Sequence, residues 1–276
     1  VSAGRVLVTG ASRGIGRVTA MALAEQGRPV TVCARDAATL EHAVADLDGG
    51  GHRALALDVA DAGAWEAAAD ELRDVTGVVC AAGAIGPIGD VADVEAAAFD
   101  HALRVNVTGT YLTLRAVAPQ LRAADGAAVV LSGGGATGPF ARFDAYAVSK
   151  AAVVRMAENL SASGLRVNAI APGFIVTAMQ ADVLDAGVER VGEAYFERVR
   201  DAVANNKGDD PRRAAALACF LLSDAARGIA GKLLSAPWDP WEDDAFRARL
   251  RDEPNLATLR RIDDQFYTTL PEGSRE

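Results

Sequence analysis

Seven short runs rich in Val, Ile, Leu and Ala recur along this chain, with helix-length segments between most of them. They are Arg5–Thr9, Val30–Cys33, Ala54–Leu57, Gly77–Cys80, Ala127–Leu131, Arg166–Ile170 and Lys232–Ser235. An apolar run without polar alternation is what a strand looks like when both faces of its sheet are covered. Strands that alternate with helices pair side by side in parallel, and the crossover helices cover the sheet. The expected fold is therefore α/β, a doubly wound parallel sheet of about seven strands. A chain of 276 residues, half of them hydrophobic, can fill the core of one such domain.

Composition excludes several alternatives. The formal charge is −9, with no concentrated basic surface, so nucleic acid is not an expected partner. Cys33, Cys80 and Cys219 lie far apart, and His42, His52 and His101 lack ligand spacing, so neither a disulfide framework nor a metal site is expected. The longest uncharged stretches, 126–141 and 167–181, contain Gly and Pro, which reads as buried strands and loops and not as a membrane span. A strand-like run begins within five residues of the first residue, leaving no room for a signal peptide. A cytoplasmic protein with a small-molecule substrate is the expectation.

Residues 1–235 read as one domain. The remainder, 236–276, opens with Pro237-Trp238-Asp239-Pro240-Trp241 and continues with ten acidic and six basic residues. It reads as a C-terminal extension packed on the domain or on a neighbouring subunit.

The first strand runs into Thr9-Gly10-Ala11-Ser12-Arg13-Gly14-Ile15-Gly16, and a helical pattern follows. Glycines permit a tight strand-to-helix turn, and the helix N-terminus beyond it offers free N–H groups to a pyrophosphate. This placement gives the sheet its Rossmann-type reading, although the spacing G-x-x-x-G-x-G departs from the common dinucleotide fingerprint. The second strand ends at Cys33-Ala34-Arg35-Asp36. An acidic residue at that tip would bind a ribose hydroxyl, whereas Arg suits a 2′-phosphate. With Asp36 expected to cap the next helix and Arg13 nearby in the loop, NADP is favoured over NAD.

Tyr146 and Lys150 stand four residues apart in a helix-like stretch, on one face. A phenol ionises near 10 in water, so proton transfer near neutrality calls for a stabilised phenolate. A neighbouring ammonium has the right sign for that.

The loop Thr9–Gly16 together with Tyr146-x-x-x-Lys150 resembles the short-chain dehydrogenase/reductase family, in its compact branch. Asp58, Asn106-Val107-Thr108-Gly109, Ser132, and Pro172-Gly173 with Thr177 match further, in the family's order, from residue 5 to about 235. The resemblance implies a catalytic set of Asn106, Ser132, Tyr146 and Lys150. Tyr146 would be the general acid/base, and Lys150 would lower its pKa and hold the nicotinamide ribose. Ser132 would bind the substrate oxygen and Asn106 a relay water. In the cofactor cradle the resemblance places Gly10, Ser12, Arg13, Gly14, Ile15 and Gly16, with Arg35 at the 2′-phosphate. Asp58 would contact the adenine, and Val59, Ala82 and Gly83 complete the cofactor-binding set. Pro172-Gly173 would back the nicotinamide and Thr177 hold its carboxamide.

The pattern is broken in four places. Cys80-Ala81-Ala82-Gly83 replaces the usual Asn-Asn-Ala-Gly, and the segment from Asp58 to Gly83 is short. Ser132 precedes Tyr146 by 14 residues where the family more often has 13, with Gly133-Gly134-Gly135 behind it. Ser235-Ala236-Pro237-Trp238 replaces the common Asp-Gly-Gly ending.

The region from about 177 to 210 is a mobile lid in the family, with Tyr195, Phe196 and Arg198 as candidate substrate contacts. The leading expectation is an NADP-dependent oxidoreductase that interconverts a ketone and a secondary alcohol on a small, sugar-like or specialised-metabolite substrate. A 3-oxoacyl thioester reductase and an NADP-binding sensor without turnover are the alternatives. The two long helices, around Glu95–Arg122 and Ala145–Ser161, imply by resemblance a homodimer or homotetramer.

Overall fold

The structure, a computed structural model, describes residues 4–260 of the chain. Its strands are β1 (Arg5–Thr9), β2 (Val30–Ala34), β3 (Arg53–Ala56), β4 (Val75–Cys80), β5 (Ala127–Leu131), β6 (Arg166–Ala171) and β7 (Leu233–Ser235). They form one parallel sheet in the order β3-β2-β1-β4-β5-β6-β7. The chain therefore leaves the sheet centre in one direction after β1 and returns to extend it in the other from β4. This reversal opens a crevice at the carboxyl ends of β1 and β4, where ligands of open α/β sheets bind.

The β1 sequence shows why the sheet is covered twice. Val6 and Val8 join one apolar cluster with Leu23 of α1 (Gly14–Glu25) and Leu217 of α10 (Pro211–Leu222). Leu7 points the other way, into a second cluster with Trp65 of α3 (Ala62–Ala67), Leu112 of α5 (Gly109–Ala124) and Val153 of α6 (Asp144–Ala162). All three β1 side chains are fully buried. The helix α2 (Ala37–Ala45) starts at Asp36, whose carboxylate accepts from the Thr39 amide as its N-cap.

The long helix expected from about 95 to 122 is interrupted. It runs as α4 (Ala96–Leu103), a π-helical turn at Arg104–Thr108 and α5. The lid region also divides, into α7 (Ala178–Ala186), α8 (Val188–Val191) and α9 (Glu193–Asn205), with Gly187 and Gly192 at positive φ between them.

Beyond β7 the chain turns back onto the domain. Trp241 is buried against Phe220 and donates its indole N–H to the Ala236 carbonyl. Trp238, three residues earlier, is 82% exposed. The helix α11 (Asp244–Asp252) buries Leu250. The last residues of the extension, 261–276, lie outside the described residues. The buried ammonium of Lys232 donates to three carbonyls, of Glu253, Pro254 and Leu256, at 2.7, 3.1 and 3.0 Å. All three of its protons are thus used on the turn that ends α11. Replacing the ammonium by a methyl group leaves those carbonyls unpaired. Lys232→Met is expected to lower unfolding stability by about 1–3 kcal/mol and to expose residues 253–260 to protease. An unchanged denaturation midpoint would show that the ammonium does not hold the turn.

Candidate active site

The glycine loop is shaped by what lies against it. Gly10 has φ +66°, and a Cβ there would sit 2.6 Å from the Ala82 amide nitrogen. The β1 and β4 loops therefore touch backbone to backbone, a contact only glycine allows. The Thr9 hydroxyl accepts from the Ala81 and Ala82 amides at 3.2 and 3.3 Å. Thr9 thus ties the turn at Cys80-Ala81-Ala82-Gly83, where the family's usual asparagine pair is missing. Across the crevice, Thr177 lies close to Gly14, with its hydroxyl capping α7.

The first turn of α1 fits a pyrophosphate. Arg13, the N-cap residue, makes no side-chain cap bond, and no acidic residue stands in the first turn. The N-terminal amides of Gly14, Ile15 and Gly16 are therefore left for an anion. Ser12 carries its carbonyl toward Arg17, a cation not singled out from the sequence, whose guanidinium also pairs with Asp46. Arg35 is exposed at the end of β2, with no ion pair among the described residues. Asp58 turns its carboxylate onto the Ala60 amide, and Val59 packs on Gly109.

Behind the crevice lies a buried polar chain. The π-helical turn presents Asn106, whose Oδ1 accepts from the Ala84 amide at 2.8 Å. Its amide nitrogen donates to the Ala84 carbonyl and to Ser149 Oγ, at 2.8 and 2.9 Å. Ser149, which sequence reasoning passed over, donates in turn to the Tyr146 carbonyl at 2.7 Å. The Asn106 carbonyl, freed by the wider turn, accepts from Thr110. Both Asn106 N–H groups are therefore committed to protein, so the side chain ties α6 to the β4 loop. Gly83 fits between Asn106 and Lys150, with a would-be Cβ 3.3 Å from Asn106 Oδ1 and 3.6 Å from Lys150 Nζ.

Lys150 is buried and donates to the Leu131 carbonyl at 2.9 Å, leaving two protons for a ligand. Its Nζ stands 5.4 Å from the centre of the Tyr146 ring. Burial pushes the phenol of Tyr146 up to about 12, with Tyr195 adding to the rise, and burial lowers Lys150 to about 8. Burial, and not Lys150, thus sets the direction of the Tyr146 shift. Loss of water around each group sets both directions, and the phenol is protonated at neutral pH.

Ser132 and Tyr146 are not brought into hydrogen-bond contact. The Ser132 hydroxyl is buried and donates to the Lys150 carbonyl at a long 3.4 Å. The position that faces the phenol is Gly133, where a Cβ would lie 2.5 Å from the Tyr146 hydroxyl. Adjacent side chains beyond a strand point opposite ways, so a shift of one residue turns the serine away.

The Pro172-Gly173 turn is held by another residue missed in the sequence. Asp209 accepts from the Phe174 amide at 2.6 Å, while its own amide donates to the Phe174 carbonyl at 2.8 Å. Gly173, at φ +95°, has no side chain to block that carboxylate. The reciprocal pair joins the two ends of the lid. At the lid's tip, Arg142 donates to the carbonyls of Glu189 and Arg190.

Three comparisons place these features among known proteins. Residues 10–236 match the family model described as enoyl-(acyl carrier protein) reductase. A D-threitol dehydrogenase from Mycolicibacterium smegmatis is 32% identical, over 82% of this chain and 88% of its own. The crystal structure of an NAD+-bound xylitol dehydrogenase is 27% identical with TM-score 0.74, covering 85% of this chain and 97% of that one. An actinorhodin polyketide ketoreductase with NADPH, 24% identical over 84% of this chain and 95% of its own, shares the fold at TM-score 0.75.

Gly133→Ala forces the phenol to move, because the added methyl overlaps the hydroxyl position. The variant is expected to fold normally and to lose on the order of 10²-fold in turnover, the penalty of displacing a reacting group by about 1 Å. Parent-like turnover would show that the phenol does not work from this position.

Proposed function

The chain belongs to the short-chain dehydrogenase/reductase family, and on that premise we propose that it is an NADP-dependent ketone reductase with Tyr146 as its proton donor. That it is an oxidoreductase of alcohol and ketone groups using a nicotinamide cofactor follows from the family. NADP preference and the roles of individual residues are our reading. The observation that carries it is the meeting of Asn106 Oδ1 and Lys150 Nζ at Gly83, beyond the carboxyl end of β4, with the Tyr146 ring centred 5.4 Å from that ammonium.

A reduced nicotinamide bound in this crevice supplies hydride to a carbonyl carbon. The chain must then place the carbonyl and give its oxygen a proton. The Tyr146 phenol, protonated at neutral pH, is in the right state to donate. The two free protons of Lys150 can hold a ribose hydroxyl and stabilise the phenolate left after donation. Asn106 positions this pair through Ser149 and the backbone of α6. Our reading gives the substrate oxygen no contact from Ser132, whose hydroxyl is engaged elsewhere. The uncapped first turn of α1 would take the pyrophosphate, Asp58 and Val59 would flank the adenine, and the Asp209-held turn at Pro172-Gly173 would back the nicotinamide. In the same reading residues 236–276 form an extension of the single catalytic domain, and the protein assembles as a dimer or tetramer.

Tyr146→Phe is expected to lower ketone reduction by at least about 10³-fold with NADPH affinity unchanged. Equal turnover would remove Tyr146 from the chemistry, and absence of turnover in the parent with any ketone would favour an NADP-binding sensor. Arg35→Ala is expected to weaken NADPH binding about tenfold or more, with NADH affinity nearly constant. Equal losses for both cofactors would show that Arg35 does not read the 2′-phosphate.

A further inference from the structure

Aromatic rings from separate segments of the chain gather beside Tyr146. Phe140 and Phe143, in the loop before α6, stack with centroids 4.2 Å apart and planes 4° apart. Tyr195, from α9 of the lid, stands edge-on to both at 5.1 and 5.3 Å. Phe140 meets the Tyr146 ring edge-on at 6.5 Å. Ile85 and Ile88, from the segment after β4, close the same cluster. The glycine run has a role in this cluster. Gly133 bares its backbone to the Tyr146 hydroxyl and Gly134 to the Phe140 ring, so no side chain stands between the main chain and either ring at these positions. Phe143 is fully buried and belongs to the scaffold, whereas Phe140 and Tyr195 keep part of their surface uncovered.

We propose that this aromatic box is the substrate compartment, and that it selects a ketone bearing an aromatic or bulky alicyclic group over a polyhydroxy ketone. The proposal rests on the reading of Tyr146 as proton donor. A polyol entering the box exchanges water for ring faces and methyl groups, and its hydroxyls lose their partners. A ring entering it meets Phe140 and Tyr195 in the edge and offset geometries that aromatic pairs prefer. Among these rings Tyr195, like Tyr146, carries a hydroxyl. Partial burial raises its phenol's pKa and keeps it in the neutral form. It can accept a hydrogen bond from, or donate one to, a single substrate oxygen. Phe140 and Tyr195 are accordingly specificity-determining residues. This choice runs against the polyol named for the relative from Mycolicibacterium smegmatis.

The test separates binding from turnover. The full-length protein loaded with NADP+, in which no ketone can be reduced, is titrated calorimetrically with phenylcyclohexanone and with erythrulose, a polyhydroxy ketone. Phenylcyclohexanone is expected to bind at least about tenfold more tightly. Tyr195→Ala is expected to remove about tenfold of that affinity, and Tyr195→Phe to retain most of it, with NADP+ affinity constant in both. Equal or reversed affinities, or an equal loss for both ketones in Tyr195→Ala, would overturn the proposal. If Tyr195→Ala does not fold, Phe140→Leu with the same readout takes its place. Turnover with NADPH is measured in parallel. Tyr146-dependent reduction of erythrulose in preference to phenylcyclohexanone would overturn the aromatic box and leave the Tyr146 reading intact. Preferential binding of phenylcyclohexanone without any turnover would do the reverse.

Discussion

The contact between the first and fourth strand loops governs the geometry of everything at the top of this sheet. Gly10 meets the backbone of Ala81 and Ala82 with no side chain between them, and Thr9 fastens the pair with its hydroxyl. That contact fixes the start of α1 on one side of the crevice and Gly83 on the other. Gly83 in turn leaves the opening through which Asn106 and Lys150 approach each other. A larger residue at any of these points separates the anion-binding end of the crevice from the acid–base end. The chain's missing asparagine pair is offset by Thr9, which needs only a β-strand hydroxyl to reach two amides.

Electrostatics at the site follow from dryness more than from pairing. Tyr146 and Lys150 share a helix face, yet burial removes water from both and moves each away from its charged form. A neutral, hydrogen-bonding phenol beside this apolar cluster is suited to giving a proton to a ketone oxygen. The stabilising charge of the ammonium becomes important only once the phenolate has formed. The lid is joined at its ends by Asp209 and Phe174 and held at its tip by Arg142. The single hydrophobic cluster it forms with Ile85, Phe143 and Tyr146 couples its position to the phenol's surroundings.

Much of this was legible in the residues. The strands were, because runs such as Val6-Leu7-Val8 send neighbouring side chains into two different cores, which leaves no polar face to blur them. The four-residue spacing of Tyr146 and Lys150 and the glycines after β1 were legible for the same reason: local geometry alone fixes them. The interruption at Arg104–Thr108 was not, since its cause is tertiary, in the bonds of Asn106 to Ala84 and Ser149. The serine assignment followed residue type, and the position facing the phenol turned out to bear no side chain. Trp238 and Trp241 are indistinguishable by type, and only packing against Phe220 separates an anchor from an exposed ring. Asp209 lies 35 positions from its partner Phe174, and nothing in the intervening lid announces the pair.

A crystal structure of the complex with NADPH tests the account most directly. It should show the pyrophosphate on the amides of Gly14–Gly16 and the nicotinamide between the Gly173 turn and the Tyr146 hydroxyl. Lys150 should stand within hydrogen-bond reach of the ribose. A cofactor seated away from this crevice, or a Tyr146 hydroxyl turned from the nicotinamide, would contradict it.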